Sequence, residues 1–400
     1  MNSFERDIAP IAQDPKVRSA IYLDHHATTP IDPRVAQMVM RVMTDIYGNA
    51  NSTGHGIGNA AASVVEQSRA AVADLVGAEP EHVHFTSGST EAIYLAISHA
   101  IGNHRKAPLR VALSRVEHRA VVDTLLQAER LELVEITWID VDDSARIVWP
   151  SLETALQAGV ELVCIMAANN EVGTLYPVNT IAQKVHDVGA TILVDATQGA
   201  GRMTLSCLDS EIDYLALSGH KLNGPKGVGA LISPIYDPTK TYGLATSHRA
   251  TPNVPGIAGL GEACRLMRLE GEAENTRLSL LRDRLQAELL QRLPGMVING
   301  EVGNRLSNNL NFSVPGAPND VVVARLRDTV ALSTGSACNS GAQSPSHVLM
   351  AMGLSEELLD TCLRIGLGRQ TTEPDIDHAA EAIATAIIEV GNLLSGDEND

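Results

Sequence analysis

Lys221 lies in the tetrapeptide Ser218-Gly219-His220-Lys221, directly after the apolar run 213–217. The apolar run predicts a buried strand, so the tetrapeptide would follow a strand end. A lysine amine becomes a nucleophile only when desolvation or neighbouring cations favour its deprotonated form. On its own, the tetrapeptide is more typical of a surface loop with a glycine turn than of a reactive site. A chemical role therefore depends on which other groups the fold brings beside Lys221.

Other polar side chains follow predicted strands in the same way. The strands are predicted at 109–113, 160–166 and 191–194, and the residues just beyond their ends include His118, Asn169, Asp195 and Gln198. In an open α/β sheet, ligands bind along the edge formed by the carboxyl ends of the strands. We therefore expect these side chains to share one site with Lys221.

A small-residue turn, Ser87-Gly88-Ser89-Thr90-Glu91, follows the predicted strand 82–86 and precedes a predicted helix over 92–100. Free N–H groups and hydroxyls at a helix N-terminus favour an anion such as phosphate. The turn lacks the Gly-Lys of a P-loop, so a nucleoside triphosphate is not indicated. The same turn could also serve only to cap the helix.

Together these groups match the requirements of pyridoxal phosphate. The cofactor needs a lysine for a Schiff base, a carboxylate for its ring nitrogen and a cradle for its phosphate. We assign Lys221 to the Schiff base and Asp195 to the ring nitrogen. Ser89 and Thr90 would form part of the phosphate cradle, and His118 could stack on the ring.

The order of elements predicts the α/β class: alternating apolar strands and helices form a mostly parallel sheet covered by helices on both faces. The character changes near residue 265, where long helix-favouring and then short-strand segments begin. We predict a large cofactor-binding domain (31–265) and a smaller α+β domain (266–400), which the N-terminal arm (1–30) joins. The adjacent His25 and His26 do not predict a metal, because neighbouring side chains on a strand point to opposite faces.

The composition limits the choice of partners and compartment. The net charge of −18 and a pI near 5.1 argue against direct binding to nucleic acid or to an anionic membrane. The chain has no apolar run of about 20 residues, and residues 1–20 lack the apolar core of a signal peptide. Its five cysteines include no CxxC pair, so no disulfide framework is expected. The sequence predicts a cytoplasmic protein.

The motifs resemble, in order, those of the group I cysteine desulfurases, fold-type I pyridoxal-phosphate enzymes. The resemblance extends from Tyr22 to the final helix. It rests on Tyr22-Leu23-Asp24 with Ala27-Thr28-Thr29-Pro30, Phe85-Thr86-Ser87-Gly88, Glu117-His118, Asn169-Asn170-Glu171-Val172-Gly173, Val194-Asp195-Ala196-Thr197-Gln198, Ser218-Gly219-His220-Lys221 and Gly335-Ser336-Ala337-Cys338.

The resemblance implies a role for each matching residue on the cofactor. Lys221 would hold it covalently, Asp195 would bind the ring nitrogen, and His118 would stack on the ring. Asn169 and Gln198 would lie at the ring oxygen. The phosphate would be bound by Ser89, Thr90, Ser218 and His220, and by Thr251 of a second subunit in a homodimer.

The resemblance also implies the chemistry. Cys338 would be the nucleophile that takes the sulfur of L-cysteine as a persulfide, releases alanine and passes the sulfur to an acceptor protein. Arg364 would bind the substrate carboxylate, with Asn169, Asn49 and His55 on the substrate side. The reaction needs a thiolate, so either the pKa of Cys338 would be lowered or a base, with His118 as the candidate, would take its proton. The other four cysteines are predicted to be structural.

One segment departs from the family pattern. Residues 243–250 are several residues shorter than the glycine-rich segment of the family. This departure keeps open a sulfur-relay or scaffold subunit with weakened catalysis. Selenocysteine lyase, another β-lyase and an aminotransferase are weaker alternatives, since none explains a cysteine in the 333–345 loop. Iron–sulfur assembly, tRNA thiolation and DNA phosphorothioation remain equally open as sulfur destinations.

Overall fold

The computed structural model describes residues 20–104, 108–242, 251–334 and 345–396. Cys338 and the segment 243–250 lie outside these ranges.

The main sheet has seven strands within the described residues. They are β2 (Val83–Thr86), β3 (Leu109–Ser114), β4 (Val134–Ile139), β5 (Leu162–Met166), β6 (Thr191–Asp195), β7 (Tyr214–Ser218) and β8 (Gly229–Ile232). Their order in the sheet is β2-β8-β7-β6-β5-β3-β4, and all neighbouring pairs are parallel except the two that involve β8. The predicted α/β class with a mostly parallel sheet is confirmed.

The three central strands β5, β6 and β7 are almost entirely buried, as expected for parallel strands covered on both faces. Their register places Asp195, the last residue of β6, opposite Met166 of β5 and Ala216 of β7. The three strands therefore end at nearly the same level. Polar residues that follow them meet at one edge of the sheet.

Helices cover both faces of this sheet. They are α1 (Pro33–Asp45), α2 (Gly56–Val76), α3 (Ser89–Asn103), α4 (Arg119–Arg130), α5 (Trp149–Gln157) and α6 (Val178–Asp187). Helix α2 ends at Gly77, which adopts a left-handed conformation with φ of +59°, as the sequence predicts. Its start differs from the prediction, because His55 and not Asn59 caps it: the His55 ring accepts a hydrogen bond from Gly58 N at 3.0 Å. Helix α3 likewise begins at Ser89, earlier than expected.

A second core lies toward the C-terminus. Its elements are α7 (Val254–Arg292), β9 (Val297–Ile298), β10 (Asn309–Ser313), α8 (Asn319–Leu326), β11 (Val330–Ala331), α9 (His347–Ala351), α10 (Glu356–Asp360), β12 (Cys362–Gly366) and α11 (Glu373–Gly396). Strand β1 (Ile21–Tyr22) pairs with β11, so the N-terminal segment joins this part of the chain. Helix α7 runs through both cores, contributing Leu260 to the first and Leu285 to the second. The predicted boundary at 265/266 falls inside this helix and stays a prediction.

Candidate active site

A cavity of about 230 Å³ lies where the strands of the main sheet end. It is formed by the turns after β5, β6 and β7, by the start of α3, and by the segment 26–27 and β12. Most residues assigned from the sequence line it. The lining residues are His26, Ala27, Ser89, Thr90, His118, Met166, Ala168, Asn170, Asp195, Thr197, Gln198, His220, Lys221 and Arg364.

Lys221 ends a short 3-10 turn, Gly219–Lys221, that directly follows β7. Its ammonium donates hydrogen bonds to the main-chain oxygens of His26 and Ala27, the latter at 3.0 Å. The turn thus positions the amine at the cavity wall.

Asp195 is buried at the end of β6. Its Oδ1 accepts hydrogen bonds from Thr197 N at 2.9 Å and from the Thr197 hydroxyl. These bonds fix the carboxylate at the cavity wall on which Gln198 also lies. The geometry suits a carboxylate that must face a cationic ring nitrogen.

His118 caps helix α4 and lines the cavity. Burial lowers the pKa of its imidazole; the Asp195 charge opposes this shift, and the Lys221 charge adds to it. Its Nδ1 accepts a hydrogen bond from Ala120 N at 3.0 Å, so the proton of the neutral ring lies on Nε2. A neutral ring in this state offers its Nε2–H to the cavity as a hydrogen-bond donor. Its role as the base for Cys338 stays a prediction.

Helix α3 presents its N-terminus to the cavity through Ser89 and Thr90. Gly88, the cap residue, has no side chain that could occupy the N–H groups of the first turn. Gly229 of β8 packs so closely that a side-chain carbon there would come within 2.7 Å of Gly88 Cα. Ser218 is buried beside Gly88, and the His220 ring contacts the Thr28 hydroxyl at 3.2 Å. The phosphate residues predicted within one subunit, Ser89, Thr90, Ser218 and His220, are therefore close together.

Asn169 and Asn170 have different environments. The Asn169 side chain accepts bonds from Glu171 N at 2.8 Å and Val172 N at 3.0 Å, and donates to Val116 O at 3.2 Å. These bonds close its own loop, and Asn169 does not line the cavity. The next residue, Asn170, does. The sequence pattern alone could not decide between adjacent amides.

Arg364 on β12 is buried and lines the same cavity. It forms an ion pair with Asp24 (2.9 Å between Nη2 and Oδ1) and donates to Asn170 O at 3.3 Å. Its Nε has no hydrogen-bond partner among the described residues. The guanidinium is thus held in place with donor capacity left for a carboxylate.

Cys338 lies outside the described residues, but the chain on both sides of its segment is tied to this site. Ser333 and Arg364 exchange two main-chain hydrogen bonds of 3.2 and 2.7 Å. On the far side, the Ser346 hydroxyl donates to Glu171 Oε2 at 2.5 Å. The His347 ring contacts Glu117 O at 2.9 Å.

Three assigned residues lie elsewhere. Asn49 is exposed, and its side chain accepts a bond from Asn51 N at 2.9 Å within its own turn. His55 caps α2. Thr251 lines a separate cavity of about 370 Å³ with Ser87 and Gly227. None of the three lines the cavity around Lys221.

Several site residues were missed by sequence reasoning. His26 and Asn170 line the cavity. Two acids, Glu117 and Glu171, are buried behind it; burial raises the pKa of Glu117 to about 8 and that of Glu171 to about 7. The motifs Glu117-His118 and Asn170-Glu171 were visible in the sequence, but only the fold shows which side chains face inward.

The residues fit pyridoxal phosphate by their chemistry. The cavity brings an amine, a carboxylate fixed at a strand end, a neutral imidazole and a helix N-terminus to one place. No three His, Cys, Asp or Glu side chains in the described ranges cluster closely enough to hold a metal ion. Of the helices in these ranges, none could cross a membrane.

The fold and the site thus define an α/β enzyme of the pyridoxal-phosphate type, and comparisons with known proteins narrow this class. The family model for class-V aminotransferases matches residues 21–378. The cysteine desulfurase IscS of Anaeromyxobacter sp. (strain Fw109-5) is 38% identical over 377 residues, which cover 92% of each chain. The chain belongs to the class-V aminotransferase family and, within it, to the cysteine desulfurases.

Solved structures agree with this placement. A NifS-like protein superposes with a TM-score of 0.82 at 28% identity, covering 94% of this chain and 100% of the other. A structure of SspA in complex with cysteine superposes with a TM-score of 0.75 at 27% identity, covering 87% of this chain and 99% of the other.

Proposed function

We propose that this protein is a pyridoxal-phosphate-dependent cysteine desulfurase that converts L-cysteine to L-alanine and retains the sulfur as a persulfide on Cys338. The observation that supports this most is the single cavity shared by Lys221, Asp195, His118 and Arg364. Membership of the cysteine desulfurases supports the same reaction.

The cofactor, when bound, would serve as an electron sink that activates the substrate carbons. Lys221 would hold it covalently, Asp195 would pair with the ring nitrogen, and His118 would cover one face. The phosphate would lie at the N-terminus of α3 with Ser89, Thr90, Ser218 and His220. Gln198 would lie at the ring oxygen.

L-Cysteine would bind with its carboxylate on Arg364, and Asn170 would contact it on the neighbouring wall. The structural relative SspA was solved with cysteine, which fits an amino-acid substrate. Asp24 and Asn170 O already hold the guanidinium, so little side-chain freedom is lost when the substrate binds. Asn49 and His55 stay proposals for the substrate side of the site.

The sulfur transfer involves one bond exchange. The Cys338 thiolate attacks the substrate sulfur, so that an S–S bond forms while the substrate C–S bond breaks. The substrate carbon takes up a proton and becomes the methyl group of alanine; the reduction of this carbon balances the oxidation of sulfur. Lys221, whose amine lies at the cavity wall, would supply this proton, and the Nε2–H of His118 can donate a hydrogen bond at this edge of the cavity.

We further propose a homodimer in which Thr251 completes the phosphate site of the second subunit. An acceptor protein would then take the sulfur from Cys338. We place the enzyme in the cytoplasm, because a thiol that cycles through a persulfide requires a reducing compartment.

The experiment combines cofactor and product analysis. The purified protein, supplied with pyridoxal phosphate, should show visible absorbance from a lysine-bound cofactor. With L-cysteine and a thiol reductant it should release alanine and sulfide in equal amounts. A protein that binds no cofactor would contradict the proposal and favour a scaffold subunit.

A further inference from the structure

We propose that His26 is a positioning residue that fixes the orientation of the Gln198 side-chain amide at the cofactor ring. The inference rests on the proposed function, because it assigns Gln198 to the ring oxygen. It concerns a residue that the sequence motifs did not single out for any role on the cofactor.

His26 and Gln198 are joined by two hydrogen bonds. The His26 ring lies with Nδ1 at 3.2 Å from Gln198 Oε1, and Gln198 Nε2 donates to the main-chain oxygen of His26 at 3.1 Å. Only 1% of His26 and 7% of Gln198 is exposed, so water does not compete strongly for these bonds. The main-chain oxygen of His26 also accepts a bond from Lys221.

The pair of bonds determines which atom of each side chain carries the proton. A main-chain oxygen can only accept, so the amide atom that faces it must be the Nε2 of Gln198. Its Oε1 then faces the ring and must accept, which places the ring proton of His26 on Nδ1. His26 Nε2 is left as a buried acceptor without a partner among the described residues.

The surroundings keep this ring neutral. Burial and the charges of Arg364, Arg202 and Lys221 lower the pKa of His26, and the bond to Gln198 opposes them. The Nδ1–H donor, and with it the orientation of Gln198, is therefore maintained across the working pH range.

The orientation of the Gln198 amide determines which of its atoms a ligand in the cavity can meet. Gln198 lines the cavity and uses one Nε2–H on the His26 main chain, so the second Nε2–H is what it can offer a ligand. If the amide turned over, an oxygen would face the ionised ring oxygen of the cofactor, and the two would repel. His26 thus ensures that a donor faces this oxygen.

The test is a pH titration of the visible absorbance of the cofactor-loaded protein, without L-cysteine. A donor at the ring oxygen stabilises its ionised form, so loss of this donor makes the oxygen more basic. We expect His26→Leu to move the titration midpoint to higher pH by about half a unit or more. His26→Asn, whose amide can still donate to Gln198 Oε1, should keep the wild-type midpoint.

A double-variant cycle separates positioning from a general structural effect. Gln198→Met should give the same shift as His26→Leu, and adding His26→Leu to Gln198→Met should give no further shift. His25→Leu is the matched control, because the His25 ring contacts Gly366 O at 2.9 Å and not Gln198; its midpoint should match wild type.

A wild-type midpoint in His26→Leu would overturn the inference. So would a double variant in which His26→Leu shifts the midpoint of Gln198→Met as much as it shifts that of the wild type. If His26→Leu does not fold, the comparison of Gln198→Met with His26→Asn tests the inference instead. Gln198→Met must then shift the titration midpoint, and His26→Asn must keep the wild-type midpoint. An unshifted midpoint in Gln198→Met would contradict the inference. The titration does not involve Cys338. A protein that shows the absorbance but forms no persulfide would therefore contradict the proposed function alone.

Discussion

Lys221 is held at the cavity by its own short turn and by two carbonyl oxygens, one of them on His26. An amine in this position has neighbours that orient it before any ligand binds. The adjacent Asp195 and His118 are each fixed by a contact within two residues along the chain. The reactive groups are therefore positioned by local turns at strand ends, and the sheet brings these turns together.

The first prediction concerns Lys221. Lys221→Ala should lower kcat by roughly a thousandfold or more, because the covalent anchor and a proton-transfer group are both lost. Borohydride reduction followed by peptide mass analysis should label the wild-type peptide that contains Lys221 and leave the variant unlabelled. A variant that is still labelled at another lysine would contradict the assignment.

The second prediction uses Glu117, whose carboxyl group accepts bonds from Ser114 Oγ at 2.7 Å and Met166 N at 2.9 Å. Burial raises its pKa from 4.5 to about 8, so the folded state retains a proton that the unfolded state loses. The stability from this group is present below the unfolded pKa and is lost as the pH rises toward the folded pKa.

Glu117→Gln should therefore be more stable, relative to wild type, at about pH 9 than at about pH 5, by about 4 kcal/mol in the free energy of unfolding. Urea unfolding of the cofactor-free protein at both pH values measures this. Glu135→Gln, at an exposed position on β4, is the control and should show no such difference. An equal effect of Glu117→Gln at both pH values would rule out a proton held by this carboxyl group.

Residue-scale prediction from the sequence is most specific where the chemistry of one side chain decides the role. Lys221, Asp195, His118 and Arg364 could be assigned because few residue types can do what they are proposed to do, and these roles stay proposals. The sequence could not decide between Asn169 and Asn170, which are chemically identical, because only the loop closed by Asn169 determines which one faces the cavity. It also missed His26, whose partner Gln198 lies 172 positions away.

At the scale of elements, β12 and the segment 23–26 pack against each other at the cavity. Gly366 N donates to Leu23 O at 2.7 Å, and His25 N donates to Gly366 O at 3.2 Å. A side-chain carbon at Gly366 would come within 2.7 Å of His26 Cδ2 and 2.8 Å of His26 N. The close approach of these two segments therefore requires glycine at position 366.

The third prediction follows from this contact. Gly366→Ala should displace His26 and destabilise the protein by about 1–3 kcal/mol, the usual cost of overpacking. Gly391→Ala on α11 is the control, since its added carbon would meet its nearest atom only at 3.9 Å and alanine favours a helix. Urea unfolding compares the two. Equal stability of both variants would contradict the close packing at Gly366.

The sequence pattern did not specify the direction of β8. Its apolar run predicts a strand, but not whether that strand is parallel or antiparallel to its neighbours. Only residues 219–228 separate it from β7, and a parallel return requires a crossover of about a dozen residues or more. The short connection, which also holds Lys221, therefore reverses the strand. The alternation of strands and helices elsewhere predicted the parallel core correctly.

At the scale of the whole molecule, Thr251 lies away from the cavity of its own chain. The proposed homodimer gives it a role in the second subunit. This leads to the fourth prediction: mixed dimers of Thr251→Ala and Lys221→Ala should regain cofactor affinity and activity at one site. That site combines Lys221 of one chain with Thr251 of the other.

Subunit exchange, followed by separation of differently tagged dimers, measures this effect. The control is the mixed dimer of Lys221→Ala with wild type, whose one intact site sets the full value. Activity of the Thr251→Ala dimer equal to wild type, or no gain on mixing, would exclude Thr251 from the cofactor site.

The most direct test of the whole account follows the sulfur. The cofactor-loaded protein is mixed with one equivalent of L-cysteine without reductant, alkylated, and digested for mass analysis, with Cys338→Ser as the paired variant. The account predicts an added sulfur atom on the peptide containing Cys338 and an equal amount of alanine. Cys338→Ser should retain the cofactor absorbance but form no persulfide and little alanine. Full alanine release by Cys338→Ser, or added sulfur on one of the buried cysteines instead, would contradict it.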